Sequence, residues 1–299
     1  MKHKKLTLGG LAMRTTVLAL TIMLCSAPAG AGSFVYVSNA EDGDIGTYAL
    51  QTDGSLKPGE RVAVQKLVMP LAVSPDKRFL VGAARSKPYQ AWSYAIDRGT
   101  GALRLVGQAP LPESYPYVRF DRQGRFLLGA SYGGNAIGVS AFADGRVGQT
   151  LQVVPTARNA HSIRTDNSNK FVFVPHLGTD QVFQFLFDAG SGRLTANTPP
   201  VLQLEQGTGP RHFVVSGDNR FVYLLSEMAG TVTTLALDAD TGLLKKIDVV
   251  SILPPDTKLV LGVPRGAVGT PGANQAARDP TNDIWAAVDL LRESGELFP

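Results

Sequence analysis

The sequence predicts an all-β fold, a β-propeller whose blades are four-stranded sheets repeated in tandem. Two motifs recur in the 299 residues with a period near 47, and such a period is typical of repeat architectures. The first motif is a polar turn followed by Arg or Lys, a phenylalanine and an apolar strand. Its phenylalanines are Phe79, Phe126, Phe171 and Phe221. The second motif is a turn that contains a glycine. Its glycines are Gly54, Gly101, Gly145, Gly192 and Gly242.

Between the two motifs, each unit contains a further β-rich stretch such as AWSYAI, QVFQFLF or TVTTLAL. Their short length and alternating pattern favour strands over helices, which makes about four strands per unit. A β-solenoid is the competing interpretation, but its turns are usually shorter than these units. The first unit, FVYVSNAEDGDIGTYAL, begins at what is the second strand of the others. We therefore expect the C-terminal part of the chain to supply its missing inner strand and close the ring.

Residues 1–31 have the pattern of an export signal. Lys2, Lys4, Lys5 and Arg14 precede an apolar run at 17–24, and small residues follow in the sequence APAGA,. The run is too short for a transmembrane anchor. We expect this segment to be a cleaved signal peptide and the mature protein to be periplasmic or secreted, with no membrane association.

Charge and cysteine content exclude several classes of function. The chain has 29 Lys and Arg against 25 Asp and Glu, but four of the basic residues belong to the predicted signal. The mature chain is therefore balanced, and no basic patch suggests a nucleic-acid partner. The single cysteine, Cys25, also lies in that segment, so disulfides, thiolate metal sites and cysteine nucleophiles are not expected.

Several motifs together resemble the lactonase family of seven-bladed propellers, which includes the bacterial 6-phosphogluconolactonases and, more distantly, the fungal carboxymuconate lactonizing enzyme. They are VYVSNAEDGDIGTY, AHSIRTDN, GTGPRHFVVSGDNRFVYLLSE and TNDIWAA, within residues 34–287. GPRHF followed by SE in the same unit is the most specific. The resemblance implies hydrolysis of a lactone ring, in a sugar or a carboxylated lactone, within the central channel of a propeller.

Seven blades of this repeat length need roughly 330 residues, more than the chain offers. We interpret 32–253 as blades one to five, and 254–299 as a long Pro/Gly-rich loop and an aberrant start of blade six. Blades six and seven are then largely missing, as in a C-terminally truncated family member that the truncation could leave inactive. Open blade edges would favour self-association. A genuine five-bladed ring is the alternative.

Two innermost strands are predicted to begin with polar side chains that suit lactone hydrolysis. His161 lies in AHSIRTD, and Arg211 and His212 lie in GPRHFVV. The lactonizing relative has a matching His, Arg and Glu as proposed active-site residues, which the resemblance places at His161, Arg211 and Glu227. His161 or Glu227 would be the base and acid, Arg211 would hold the oxyanion or a substrate carboxylate, and His212 would add a polar contact.

Residues that directly follow the Phe-led strands form a second predicted set, because equivalent positions in successive blades meet around one axis. We expect them to contact substrate at one mouth of the channel, and they are Asn39, Arg85, Tyr132, His176 and Glu227. Structural roles compete with these assignments. His161 could satisfy a buried carbonyl, Arg211 and Glu227 could be a structural ion pair, and His176 could be a channel-rim residue.

No cofactor or metal is expected. The sequence GTGPR is not followed by a helix, and His-Glu-x-x-His is absent from the sequence,. Three irregularly spaced histidines beyond residue 31 make a poor transition-metal site. Because propellers also bind peptides and glycans, the alternative function is a non-catalytic periplasmic binding platform.

Overall fold

The computed structural model describes residues 32–258 and 262–264. This part of the chain contains nineteen β-strands and no α-helix, arranged as five antiparallel sheets. We call these sheets blades one to five, in chain order. Blade one contains β1 (Phe34–Asn39), β2 (Asp44–Leu50) and β3 (Leu56–Ala63). Blade two contains β4 (Val68–Val73), β5 (Phe79–Ala84), β6 (Gln90–Ile96) and β7 (Leu103–Pro110).

The other three blades have four strands each. Blade three contains β8 (Tyr117–Phe120), β9 (Phe126–Ser131), β10 (Ala136–Ala143) and β11 (Arg146–Pro155). Blade four contains β12 (Arg164–Thr165), β13 (Phe171–His176), β14 (Gln181–Asp188) and β15 (Arg193–Gln203). Blade five contains β16 (Pro210–Val215), β17 (Phe221–Ser226), β18 (Thr231–Leu237) and β19 (Leu244–Ser251). Every strand pairs with its neighbour in sequence, so each blade is a meander.

The innermost strands of blades two to five are β4, β8, β12 and β16, which begin each meander. β4 contacts β8, and β16 contacts β13 of blade four. Blade one has three strands in the described residues, in the order β1-β2-β3, which matches the expected missing inner strand. The expected C-terminal partner strand falls outside the described residues, as do the predicted signal at 1–31 and most of 254–299.

The core lies between blades rather than within them. Four hydrophobic clusters each join residues of two neighbouring blades. In one of them Phe120 and Phe142 of blade three pack edge to face, with ring centroids 4.7 Å apart, and lie against Val81 and Ala83 of blade two. A sheet with two apolar faces needs such a neighbour on each side.

The two repeated motifs meet at these boundaries. Each turn glycine of blades two to five lies directly over the strand-leading phenylalanine of the preceding blade, and a Cβ added to Gly192 would come within 2.6 Å of the Phe126 ring. The pairs are Gly101 with Phe34, Gly145 with Phe79, Gly192 with Phe126, and Gly242 with Phe171. This contact explains why the two motifs recur with the same period.

No helix within the described residues is long and apolar enough to cross a membrane.

Candidate active site

The innermost strand of blade five carries a β-bulge at Arg211. Pro210 pairs with Ser226 and His212 pairs with Leu225, so Arg211 is an extra residue on its strand. A bulge breaks the alternation of side chains and redirects one of them. Arg211 is therefore turned away from the blade core, toward the end of β17.

Blade four repeats this irregularity around His161. Ala160 forms an isolated bridge with His176, whereas Arg164 pairs with Phe173, so the inner segment again has one residue more than its partner. The His161 amide donates a hydrogen bond to the Pro175 carbonyl at 3.0 Å. By this alignment, His161 and Arg211 occupy equivalent positions in neighbouring blades.

Glu227 directly follows β17 and its amide donates to the Gly209 carbonyl at 2.8 Å, which fixes it beside the start of β16. Arg211 Nε lies 2.6 Å from Glu227 Oε2, and the two side chains are only 23% and 8% exposed. A shielded pair of this kind holds the guanidinium in one orientation. The predicted Arg211 and Glu227 therefore meet, as both the catalytic and the structural interpretations required.

Rings from the two neighbouring blades, three and five, lie around His161. Its ring centroid lies 5.6 Å from that of Tyr132 in blade three and 5.1 Å from that of His212 in blade five. His212 in turn lies 5.4 Å from the ring of Tyr117, and its Nδ1 is 3.5 Å from Arg211 Nη1. These rings line a continuous surface across the inner ends of the blades.

The environment keeps both imidazoles neutral near pH 7. Burial lowers the pKa of His161 to about 2, with further lowering by the nearby positive charge of Arg211, by His212 and by Arg85. Burial and then Arg211 lower the pKa of His212 to about 4. Burial also lowers the pKa of Arg85, whose buried Nε has no hydrogen-bond partner within the described part of the chain. The cluster therefore combines neutral bases with guanidinium charge.

The structure separates His176 and Asn39 from this cluster. Arg85, Tyr132 and Glu227 each lie six residues after the phenylalanine that begins their strand, whereas Asn39 and His176 lie five residues after theirs. Successive side chains of a strand point to opposite faces, so the shift by one residue directs them elsewhere. The residues equivalent to Arg85 in blades one and four are Ala40 and Leu177.

His176 is fully buried in blade four. Its Nδ1 lies 2.9 Å from the Val174 carbonyl and its ring packs on Phe183 at 4.3 Å. Asn39 donates from Nδ2 to Asp44 Oδ1 at 2.7 Å, across the β1–β2 hairpin. In the described residues, His176 and Asn39 therefore make their contacts within their own blades rather than with the His161 cluster.

A comparison with known protein families identifies the family of this chain. The family described as lactonase, 7-bladed beta-propeller, matches residues 30–263. The chain belongs to this family. The resemblance of its motifs is thereby confirmed, and so is the predicted all-β propeller of four-stranded blades.

Curated relatives of this lactonase-family chain are named 6-phosphogluconolactonase. The protein of Enterobacter sp. is 32% identical over 74% of this chain and 66% of its own length. That of Pectobacterium atrosepticum is 34% identical, with the same shares of the two chains. The chain thus spans just under two thirds of the length of these relatives.

A solved structure extends the comparison to three dimensions. The periplasmic gluconolactonase of Pseudomonas aeruginosa matches with a TM-score of 0.67 and 26% identity, over 75% of this chain and 69% of the other. The likeness in fold therefore covers most of the five described blades.

Sequence reasoning on this lactonase-family chain did not single out Tyr117. Tyr117 begins β8, and Arg211 and His212 lie at the start of the equivalent strand of blade five, β16. Its position at the start of an innermost strand was therefore the signal that could have identified Tyr117. For metals, the described residues contain no group of three or more His, Cys, Asp or Glu side chains arranged to hold an ion.

Proposed function

We propose that this protein is a lactone-ring hydrolase that adds water across the internal ester of a sugar or carboxylated lactone in the propeller channel. The observation that carries the proposal is the convergence of His161, Arg211, Glu227, Arg85 and Tyr132 from four blades on one partly buried cluster. The names of the curated relatives support the same activity.

Hydrolysis joins a water oxygen to the carbonyl carbon and breaks the bond from that carbon to the ring oxygen, which yields an open hydroxy acid. The carbonyl oxygen gains negative charge in the transition state. Arg211 and Arg85 offer positive charge in a site of low dielectric, where it is most effective. Glu227 holds Arg211 in place through the 2.6 Å contact.

The base is assigned to His161, which leaves Glu227 as the group that orients Arg211. A neutral imidazole can accept the proton of the attacking water and return it to the departing ring oxygen. With a pKa of about 2, His161 is a weak base in the free site. Negative charge that develops on the substrate beside the ring raises that pKa, because opposite charges favour the protonated form.

An unphosphorylated sugar lactone outside the cytoplasm is the proposed substrate class. The export pattern of residues 1–31 and the likeness to a periplasmic gluconolactonase support it, since phosphorylated sugars are retained in the cytoplasm.

The test compares hydrolysis of glucono-δ-lactone and its 6-phosphate by the wild type and by Arg211→Ala, after subtraction of spontaneous hydrolysis. Loss of one oxyanion contact should lower kcat/KM by about 10²- to 10³-fold. Arg104→Ala is the matched control, since Arg104 is exposed on the outer strand β7. Equal rates for wild type and Arg211→Ala would remove Arg211 from the mechanism. Wild-type rates no faster than the spontaneous reaction would favour the binding platform instead.

A further inference from the structure

A second cluster of positive charge lies farther along the innermost strands, away from His161. A cavity of about 240 Å³ opens there between blades two, three and four. Its lining includes Val73, Arg119, Asp121, Arg122, Arg164 and Thr165. These residues belong to the C-terminal ends of β4, β8 and β12, or to the turns that follow.

The two strand arginines occupy equivalent positions. Arg119 pairs with Leu128 in blade three, and Arg164 pairs with Phe173 in blade four. Leu128 and Phe173 each lie two residues after the phenylalanine that begins their strand. Arg119 also lies on the same strand face as Tyr117, and the two residues are about 7 Å apart along β8. The cavity is therefore a separate site on the same inner surface as the His161 cluster.

The two carboxylates near the cavity accept hydrogen bonds from the backbone amides of the turns. Asp121 accepts hydrogen bonds from the amides of Gln123, Arg125 and Phe126 and from Asn169 Nδ2. Asp166 likewise accepts from the amides of Ser168, Lys170 and Phe171 and from Asn219 Nδ2. With these donors bound, neither carboxylate is an ion-pair partner for the cavity arginines.

The guanidinium charges are correspondingly compensated only in part. Arg122 donates to the Asp166 carbonyl at 3.0 Å and to Asn167, and the Asp166 charge offsets part of its own. Among the described residues, Arg164 reaches only the Phe213 carbonyl, at 3.5 Å, and its buried Nε has no hydrogen-bond partner there. Burial and the charges of Arg119 and Arg122 lower the pKa of Arg164. In the part of the chain that the structure describes, no ion pair joins these arginines to a carboxylate.

We propose that this cavity binds a small oxyanion, a phosphate or a carboxylate, between Arg119 and Arg164, with Arg122 as a flanking cation. Guanidinium groups bind both kinds of anion through paired N–H donors. The bound anion would neutralise charges that otherwise repel one another and would supply an acceptor for the buried Nε of Arg164. This site goes beyond the proposed hydrolysis, because it requires no turnover and uses none of the same side chains.

Isothermal titration with inorganic phosphate and with gluconate, at constant ionic strength, tests the site. Saturable binding at one site per chain is expected for the wild type. Arg164→Gln and Arg119→Gln should each weaken it about tenfold, as loss of a charge-assisted hydrogen bond does. Arg119 is exposed, so Arg119→Gln is not expected to disturb folding. The tighter of the two anions identifies phosphate or carboxylate as the preferred group.

Two controls locate the binding. Arg104→Gln removes an exposed arginine on the outer strand of blade two and should leave affinity unchanged. Arg211→Ala should also bind with wild-type affinity, because Arg211 belongs to the other cluster. Wild-type affinity in the Arg119→Gln/Arg164→Gln double variant, loss of binding in Arg211→Ala, or no saturable binding of either anion would each overturn the proposal. None of these results depends on whether a lactone is hydrolysed.

Discussion

At the scale of single residues, the charge on Arg211 and the burial of its neighbours set the chemistry of the cluster. His161, His212 and His176 all have lowered pKa values, but their causes differ. Burial dominates in each, and Arg211 contributes further at His161 and His212 but not at His176. His176 therefore shows the effect of burial without Arg211, whereas His161 and His212 show the effects of burial and of the Arg211 charge together.

Replacing Arg211 with methionine should raise the pKa of His161 and His212, since an adjacent cation disfavours the imidazolium. Both values should remain below 6.5, the ordinary histidine value, because burial persists. Titration of the imidazole signals by NMR measures this directly. His176 is the control within the same spectrum and should not shift. An unchanged pKa at His161 would mean that the two side chains are not neighbours.

His176 makes the fold sensitive to acid. Burial lowers its pKa from 6.5 to about 4, so below pH 6.5 the unfolded chain takes up a proton that the folded chain does not. Stability is therefore complete above pH 6.5 and falls as the pH drops toward 4. The total loss is about 3 kcal/mol for this shift.

His176→Gln should remove that contribution. Any packing cost of the substitution is independent of pH, whereas the slope of unfolding free energy against pH between 6 and 4 should fall by about 1 kcal/mol per pH unit on average. Urea denaturation at several pH values gives the slope. A slope equal to that of the wild type would show that His176 is protonated in the folded state.

At the scale of structural elements, the turn glycines connect neighbouring blades. Gly192 has a φ of 77°, a conformation that costs other residues about 1 kcal/mol, and also lies against the Phe126 ring. Gly54 is the equivalent glycine of blade one, with a φ of 84° and no atom within 4 Å of an added Cβ. A comparison of Gly192 with Gly54 therefore separates the cost of backbone strain from the cost of packing against the ring.

Gly192→Ala should therefore destabilise the protein more than Gly54→Ala does. The difference should be about 1–3 kcal/mol, the usual cost of forcing an extra carbon into a packed contact. Chemical denaturation of both variants measures it. Equal losses of stability in the two variants would mean that the backbone conformation alone causes the effect. The contact between blades would then contribute no stability.

The repeat made the elements predictable, but the inner side chains were harder to assign. Phenylalanine and glycine spacings fix the order of strands because each pair forms a physical contact. The prediction grouped Asn39 and His176 with Arg85 as residues that follow a Phe-led strand, whereas a count from each phenylalanine places them one residue earlier. Arg119 and Arg164 are 45 residues apart, so their shared cavity becomes evident only once the blades are superposed.

At the scale of the whole molecule, a chain with 29 basic and 25 acidic residues has a locally cationic inner surface. The cluster around His161 includes Arg85 and Arg211, and the cavity farther along the strands includes Arg119, Arg122 and Arg164. Turn carboxylates that bind backbone amides offset these charges only in part. This distribution favours substrates and ligands that carry or develop negative charge on oxygen.

The central claim is that side chains from distant blades act on one substrate. Arg85 in blade two and Arg211 in blade five are far apart in sequence but both affect His161. A double-mutant cycle on kcat/KM for glucono-δ-lactone, with Arg85→Met, Arg211→Met and both together, tests it most directly. The shared site predicts a coupling energy of about 0.5–3 kcal/mol. Effects that add within about 0.5 kcal/mol would contradict a common site.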